Sequence, residues 1–277
     1  MFCNIALEEL IDRALQEDIG AGDITTNSIV PPDHVVTAFI RPGEAGVMAG
    51  LPVAQAVFCR LNPDIRFYPR VRDGERIERG QLLASVEGDG RAVLTGERVA
   101  LNFMQHLSGI ATYTAFLVQM VEKHKAKIVD TRKTTPGLRA LEKYAVRVGR
   151  GNNHRFGLYD AVLIKDNHLR VAGSIGRAVQ LVRAVVPFAM KIEVEVEDLA
   201  GVEEALLAGV DIIMLDNMPV EIMRRAVEMV AGRALLEASG GINEQNIVTV
   251  AQTGVDFISI GSLTQSARAL DIGLELV

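Results

Sequence analysis

The amino-acid sequence predicts an α/β protein, an incomplete (β/α) barrel preceded by an N-terminal α+β open-sandwich domain. Three observations carry that prediction. From Lys127 onward six apolar runs, KIVDTRK, AVLIKDN, KIEVEVE, DIIMLDN, LLEASGG and FISIGSL, alternate with helix-like or turn-rich spacers, the pattern of parallel strands joined by crossovers. Every run ends at its carboxyl side in charged or small polar residues, where barrels of this kind carry their sites. Before residue 108 the pattern changes to short alternating runs broken by tight turns, as in a small sheet of hairpins. The expected boundaries are 1–107 for the first domain, joined by the tail 268–277, and 108–267 for the barrel.

The elements follow in order. Leu7, Leu10, Ile11, Ala14 and Leu15 recur at helical spacing, and EDIGAGDITT then breaks the period into a loop at Gly20 and Gly22. VVTAFI, IRFYPRV and QLLASVEG read as strands, punctuated by Pro42-Gly43, Asp73-Gly74 and Gly88-Asp89-Gly90, with a helix from Ala54 to Leu61 laid on them. A long helix begins at Thr95, its expected N-cap, with a break expected at Ser108-Gly109. Arg98 then falls in the first turn, where the helix dipole disfavours a cation. Its ordinary reading is an exposed side chain beside Glu97.

In KIEVEVE, Ile192, Val194 and Val196 face one way and Lys191, Glu193, Glu195 and Glu197 the other, because side chains alternate along a strand. The charged face is set toward the barrel interior, a costly arrangement unless ions partner there. Glu237 is placed to join it. Six strands are fewer than eight, so the barrel is expected to be incomplete.

Charge and composition exclude several function classes. Half the chain is hydrophobic, at 49% of 277 residues, enough for a sizeable core. From Lys123 to Arg155 ten Lys and Arg face only Asp130 and Glu142, within a chain of net charge −6. A basic island in an acidic protein favours a localised anionic ligand over nucleic acid or membrane. Low aromatic content and no Trp leave few stacking platforms for single strands. Cys3 and Cys59 are isolated, without metal or redox spacing, which suits a reducing compartment. The start has acids where a signal peptide needs an apolar core, and no run reaches a membrane span. A cytoplasmic protein is expected.

The candidate chemistry lies at the strand ends. Ser239, Gly240 and Gly241 precede one helical stretch and Gly261 and Ser262 another. Both offer unobstructed N–H groups for a phosphate monoester, after the last two strands, the usual phosphate position of such barrels. No Walker A or GxGxxG pattern points to a kinase or dehydrogenase. Arg132, Lys133, Arg155 and Lys165, with His154, supply donors for carboxylate or phosphate. Glu195 and Asp216 can chelate Mg²⁺, hold ribose hydroxyls, or pair with Lys133 or Lys165. His34, His106 and His124 read as packing or surface residues.

Together DTRKTTPGLR, NNHRFGLYDAVLIKDNH, the EVE strand, MLDN, EASGGI and GVDFISIGSLTQSARALDIGLEL resemble the quinolinate phosphoribosyltransferase family. EDIGAGDITT, GVMAGLP and GERVALNFMQHLSGIAT fit it too, so the resemblance spans essentially the whole chain. One departure stands out. The family runs three glycines before its His-Arg pair, whereas this chain reads GRGNNHR, with Arg150 in the middle.

The resemblance implies transfer of the phosphoribosyl group of phosphoribosyl pyrophosphate to quinolinate with decarboxylation, in de novo NAD biosynthesis, with Mg²⁺. It implies that Arg132, His154, Arg155 and Lys165 hold the dicarboxylate, with Arg98 reaching in from the neighbouring subunit of a homodimer or larger homo-oligomer. Thr131, Lys133, Ser239 to Gly241 and Gly261 to Ser262 would receive the phosphoribosyl donor, and Glu195 and Asp216 the ribose and Mg²⁺. Lys133, Glu195 and Asp216 are the implied catalytic groups. Three other readings compete: a relative that uses another pyridine acid without decarboxylation, a Schiff-base aldolase using Lys165, and a non-enzymatic anion or RNA binder.

Overall fold

The computed structural model describes residues 4–277, so Cys3 lies outside the described residues. The chain forms two compact units. The first takes residues up to 115, 135–150 and 266–277, and the second takes 116–134 and 151–265.

In the first unit α1 (Asn4–Ile19) buries Ile11 and Leu15. The stretch expected to be only a loop contains a short helix, α2 (Ile24–Ile29), because Asp23 caps it by accepting the Thr26 N–H at 2.9 Å. Then come β1 (Val35–Pro42), β2 (Gly46–Val47), α3 (Leu51–Leu61), β3 (Arg66–Pro69), β4 (Arg76–Ile77) and β5 (Ala84–Asp89). Helix α3 starts before Ala54 because Pro52 sits in its first turn, where a missing N–H is harmless.

Helix α4 runs unbroken from Gly90 to Met120. It begins five residues before Thr95 because the Asp89 carboxylate accepts the N–H groups of Arg91 and Ala92 at 3.3 and 3.2 Å. The Thr95 hydroxyl instead donates to Asp23 at 3.1 Å. Arg98 is therefore exposed mid-helix, clear of the unfavourable dipole end. Ser108-Gly109 is a packing site and not a break. The Ser108 hydroxyl is bonded to both backbone groups of Ala49 at 3.0 Å, and a Cβ at Gly109 would lie 2.1 Å from the Arg268 carbonyl oxygen.

Helix α5 (Arg139–Val148) belongs to this first unit, with Leu141, Ala145 and Val146 buried on one face. Its buried Glu142 accepts the Thr135 N–H at 3.1 Å and lies 2.9 Å from His106 Nε2, which accounts for His106 as a packing residue. The basic stretch is thus divided between units. Arg139, Lys143, Arg147 and Arg150 lie in the first, and Arg132, Lys133 and Arg155 in the second.

The second unit is built from β6 (Lys127–Val129), β7 (Val162–Ile164), α6 (Asp166–Ala172), α7 (Ile175–Arg183), β8 (Ile192–Val196), α8 (Leu199–Ala208), β9 (Ile212–Asp216), α9 (Val220–Val230), β10 (Leu235–Ser239), α10 (Ile247–Ala251), β11 (Phe257–Ser259) and α11 (Ser262–Gln265). Its six strands are all parallel in the order β6-β11-β10-β9-β8-β7. The final strand, β12 (Ile272–Leu276), returns to the first unit, where a four-stranded antiparallel sheet runs β12-β1-β5-β3.

The barrel is open between β6 and β7, where a single bridge from Val129 to Asn152 stands in place of a strand. Alternation settles which residues face inward. Val194, Ile213, Leu215, Ala238 and Ile258 are fully buried on one face of their strands, each large one worth about 1.5–3 kcal/mol in burial. Glu195, Met214, Asp216, Glu237, Ser239 and Ser259 line the opposite, interior side.

Candidate active site

At the carboxyl ends of these strands lies a cleft of about 700 Å³. Thirteen sequence-predicted residues line it: Thr131, Arg132, Lys133, His154, Arg155, Lys165, Glu195, Asp216, Ser239, Gly240, Gly241, Gly261 and Ser262. Residues more than one hundred positions apart meet because each parallel strand presents the same end to one side.

The cationic wall comes from the segments after β6 and before β7. Thr131 shapes the first turn by accepting the Lys133 N–H at 3.0 Å, and Thr264 on α11 anchors it by donating to the Lys133 carbonyl at 2.7 Å. A Cβ on Gly261 would lie 3.0 Å from Lys133 Cδ, so the last glycine loop and this lysine share one corner. Arg155 is held by donating to the Ala161 carbonyl at 3.2 Å. Burial first, and then the charge of Arg132, pull its guanidinium below its ordinary pKa. Arg132 and Arg155 thus bring two guanidiniums to one cleft.

Lys165 follows β7 and is ion-paired with Glu195 on β8, one of the pairings the sequence left open. It also begins α6, where the His168 ring accepts its main-chain N–H at 2.8 Å. His168 is thus a helix-capping residue. An ammonium already matched to a carboxylate is a poor start for Schiff-base chemistry, which weighs against the aldolase reading.

The rest of the lining is acidic and glycine-rich. Asp216 ends β9 and accepts from Asn217 Nδ2 at 2.8 Å. Asn217 takes the left-handed conformation, φ 53°, and donates its main-chain N–H to Ser239 at 2.9 Å. Gly240, with φ 88°, is required there on two counts, since a Cβ would also lie 2.2 Å from Asn217 Oδ1. Gly241, φ 62°, has open space around it.

Arg98 belongs to the first unit and is not among the residues lining this cleft. The sequence reading missed Asn217, Met214, Ser259 and Gln265, which also line it. Strand alternation would have found Met214 and Ser259, which share a face with Asp216 and the β11 end. Arg150 adopts φ 67°, a conformation more natural to glycine.

A family model described as quinolinate phosphoribosyl transferase, C-terminal domain, matches residues 110–275, and its N-terminal-domain counterpart matches residues 23–108. The chain belongs to the quinolinate phosphoribosyl transferase family.

Among similar family members, the nicotinate-nucleotide pyrophosphorylase [carboxylating] of Mycobacterium leprae is 48% identical, covering 98% of this chain and 97% of the relative. A probable nicotinate-nucleotide pyrophosphorylase [carboxylating] of Bacillus subtilis is 41% identical, over 99% of this chain and 94% of its own. The structure of the nicotinate-nucleotide pyrophosphorylase from Francisella tularensis superposes with a TM-score of 0.96 at 40% identity, covering 100% and 98% of the two chains. The α/β fold is therefore the family's, with its antiparallel N-terminal sheet and six parallel strands.

Proposed function

We infer that this chain transfers the phosphoribosyl group of phosphoribosyl pyrophosphate to quinolinate with loss of CO₂, giving nicotinate mononucleotide and pyrophosphate for NAD biosynthesis. It is a nicotinate-nucleotide diphosphorylase of the carboxylating kind, in keeping with the activity for which its relatives are named. The observation that carries the reading is the make-up of one cleft, which gathers Arg132, Arg155 and Lys165 with Glu195, Asp216 and two glycine loops.

Arg132 and Arg155 together gain most from a dianion, and quinolinate brings two carboxylates. In this reading they and Lys165 hold the acceptor with the pyridine nitrogen aimed at the anomeric carbon, and His154 stands behind them. Lys133 and the N–H groups of Ser239 to Gly241 and Gly261 to Ser262 receive the donor's phosphates. The nitrogen displaces pyrophosphate through an oxocarbenium-like state, whose positive ribose Glu195 and Asp216 stabilise. Ribosylation leaves the ring cationic, so the adjacent carboxylate departs as CO₂ and leaves a ylide. Lys133, directly or through a water, supplies the proton that the ring carbon takes up.

Glu195 and Asp216 fit Mg²⁺ as oxygen donors on neighbouring strands, too few for a cage but suited to an ion that arrives on a pyrophosphate. When bound, such an ion neutralises charge on the departing group. We propose a homodimer in which Arg98 completes the partner's quinolinate pocket, as its exposure on α4 allows. No helix among the described residues is long and apolar enough to cross a membrane, and the free Cys59 suits a cytoplasmic setting.

Incubation of the protein with Mg²⁺, phosphoribosyl pyrophosphate and quinolinate tests the reading. CO₂ and nicotinate mononucleotide are expected in equal amounts. Turnover of nicotinate but not of quinolinate would refute it.

A further inference from the structure

Beneath the cleft, Glu193 on β8 and Glu237 on β10 are each 3% exposed. Carboxylates so deep are kept only where something inside needs them. What they meet is His154, whose Nε2 lies 3.0 Å from Glu193 Oε2 and 3.5 Å from Glu237 Oε2. The other ring nitrogen, Nδ1, accepts the main-chain N–H of Arg155 at 2.7 Å. A ring nitrogen that accepts carries no proton, so the one proton of the ring is on Nε2 and points at the two carboxylates. The turn is also held by Asp130, which accepts the His154 main-chain N–H at 2.8 Å and Asn153 Nδ2 at 2.6 Å.

We propose that Glu193 and Glu237 are positioning residues: through Nε2–H of His154 they fix a ring whose Nδ1 holds the main chain of Arg155, and so aim its guanidinium into the cleft. This rests on the quinolinate reading of that cleft. Both imidazole nitrogens are then engaged within the protein, and His154 acts on a bound dicarboxylate through Arg155 and not as a cation of its own. The two carboxylates divide the work. Glu193 is the nearer acceptor. Glu237 faces Glu193, His154, Ser259 and Asp130, and burial, with the Glu193 charge next, raises it to about 7, so it holds its proton well above the ordinary carboxylate range. The second oxygens of both, Glu193 Oε1 and Glu237 Oε1, have no protein partner. A second cavity of about 510 Å³, lined by Pro187, Met190 and Phe257 among others, includes the same pair in its lining.

Three variants of the full chain and one spectrum test this. Glu193→Leu removes the acceptor and is expected to raise KM for quinolinate roughly tenfold, the loss of one buried hydrogen bond, with KM for phosphoribosyl pyrophosphate within about twofold. Glu193→Gln, whose amide oxygen still accepts from Nε2–H, is expected to restore most of that loss, and Glu237→Gln, at the more distant acceptor, to raise the same KM by a smaller factor than Glu193→Leu.

Should Glu193→Leu fail to fold, ¹⁵N-histidine NMR of the wild-type protein still decides. A neutral Nε2–H tautomer with Nδ1 as a hydrogen-bonded acceptor supports the proposal. An imidazolium or an Nδ1–H tautomer overturns it, as does an equal rise in both KM values. Binding of Mn²⁺ or Zn²⁺ alone that Glu237→Gln abolishes also overturns it, because the three side chains would then be metal ligands. The spectrum needs no substrate, so a wild-type protein inactive on quinolinate would defeat the functional reading and leave the tautomer result standing.

Discussion

Replacing Gly240 with alanine is a sharp test of how the acidic wall is built. The new Cβ would lie 2.2 Å from Asn217 Oδ1, 2.5 Å from its Cγ and 2.9 Å from its main-chain nitrogen, and the backbone there has φ 88°. The conformation alone costs about 1–3 kcal/mol for a residue with a side chain, and the clash displaces Asn217, whose amide holds Asp216. At roughly 2–4 °C per kcal/mol for a chain of this size, thermal unfolding should fall by about 2–12 °C. The kinetic loss should be larger than this suggests and fall on phosphoribosyl pyrophosphate. Gly241→Ala is the control, because φ is 62° but nothing lies within 4 Å of its Cβ, leaving backbone strain only. Asn217→Gly in the Gly240→Ala background removes the amide that clashes and should recover part of the stability. Unfolding scans and steady-state kinetics on the four proteins settle it. Equal losses at 240 and 241, or no recovery in the double variant, would refute the account.

Three further outcomes are expected. Asp216→Asn keeps the size and most hydrogen bonding of a strand-end side chain, so melting should shift little while turnover falls about 10²–10³-fold, and higher Mg²⁺ should not restore it. Arg98→Ala should abolish turnover, and mixing it with Asp216→Asn should regain activity through hybrid dimers; absence of complementation in mixed, refolded samples would exclude a shared site. Stability should depend on pH through Glu237. Its folded-state value of about 7 lies above the ordinary 4.5, so between these values the unfolded chain releases its proton first. Stability is therefore full at the acid end and declines as pH rises toward 7, with a slope approaching about 1.4 kcal/mol per unit. Denaturant titrations of wild type and Glu237→Gln should diverge in that window, and parallel curves would show that the acid is not perturbed.

Much of the second unit was legible because alternation along parallel strands is a local property. The pattern of KIEVEVE alone assigned Glu193 and Glu195 to the interior, and both lie there. What was hidden depended on contacts distant in sequence or on single caps. The start of α4 was misplaced because Asp89 reads as part of a glycine turn until its carboxylate is seen on two helix N–H groups. Once that start moved, Arg98 ceased to be an anomaly, so the reason first given for its function does not stand and only the family resemblance supports it. The basic stretch looked continuous because charge counts ignore which unit a helix packs in. Lys143 is fully buried on α5, which no window of charges reveals. Nor did the sequence disclose that His154 has both ring nitrogens occupied, since one partner is its own neighbour's backbone and the other is 39 positions away in the chain.

The ion pair between Lys165 and Glu195 joins one group assigned to the pyridine acid with one assigned to the sugar. In the proposed reaction the substrate that separates this pair frees the other group for its co-substrate, and by thermodynamic reciprocity each would then raise the other's affinity by the same factor.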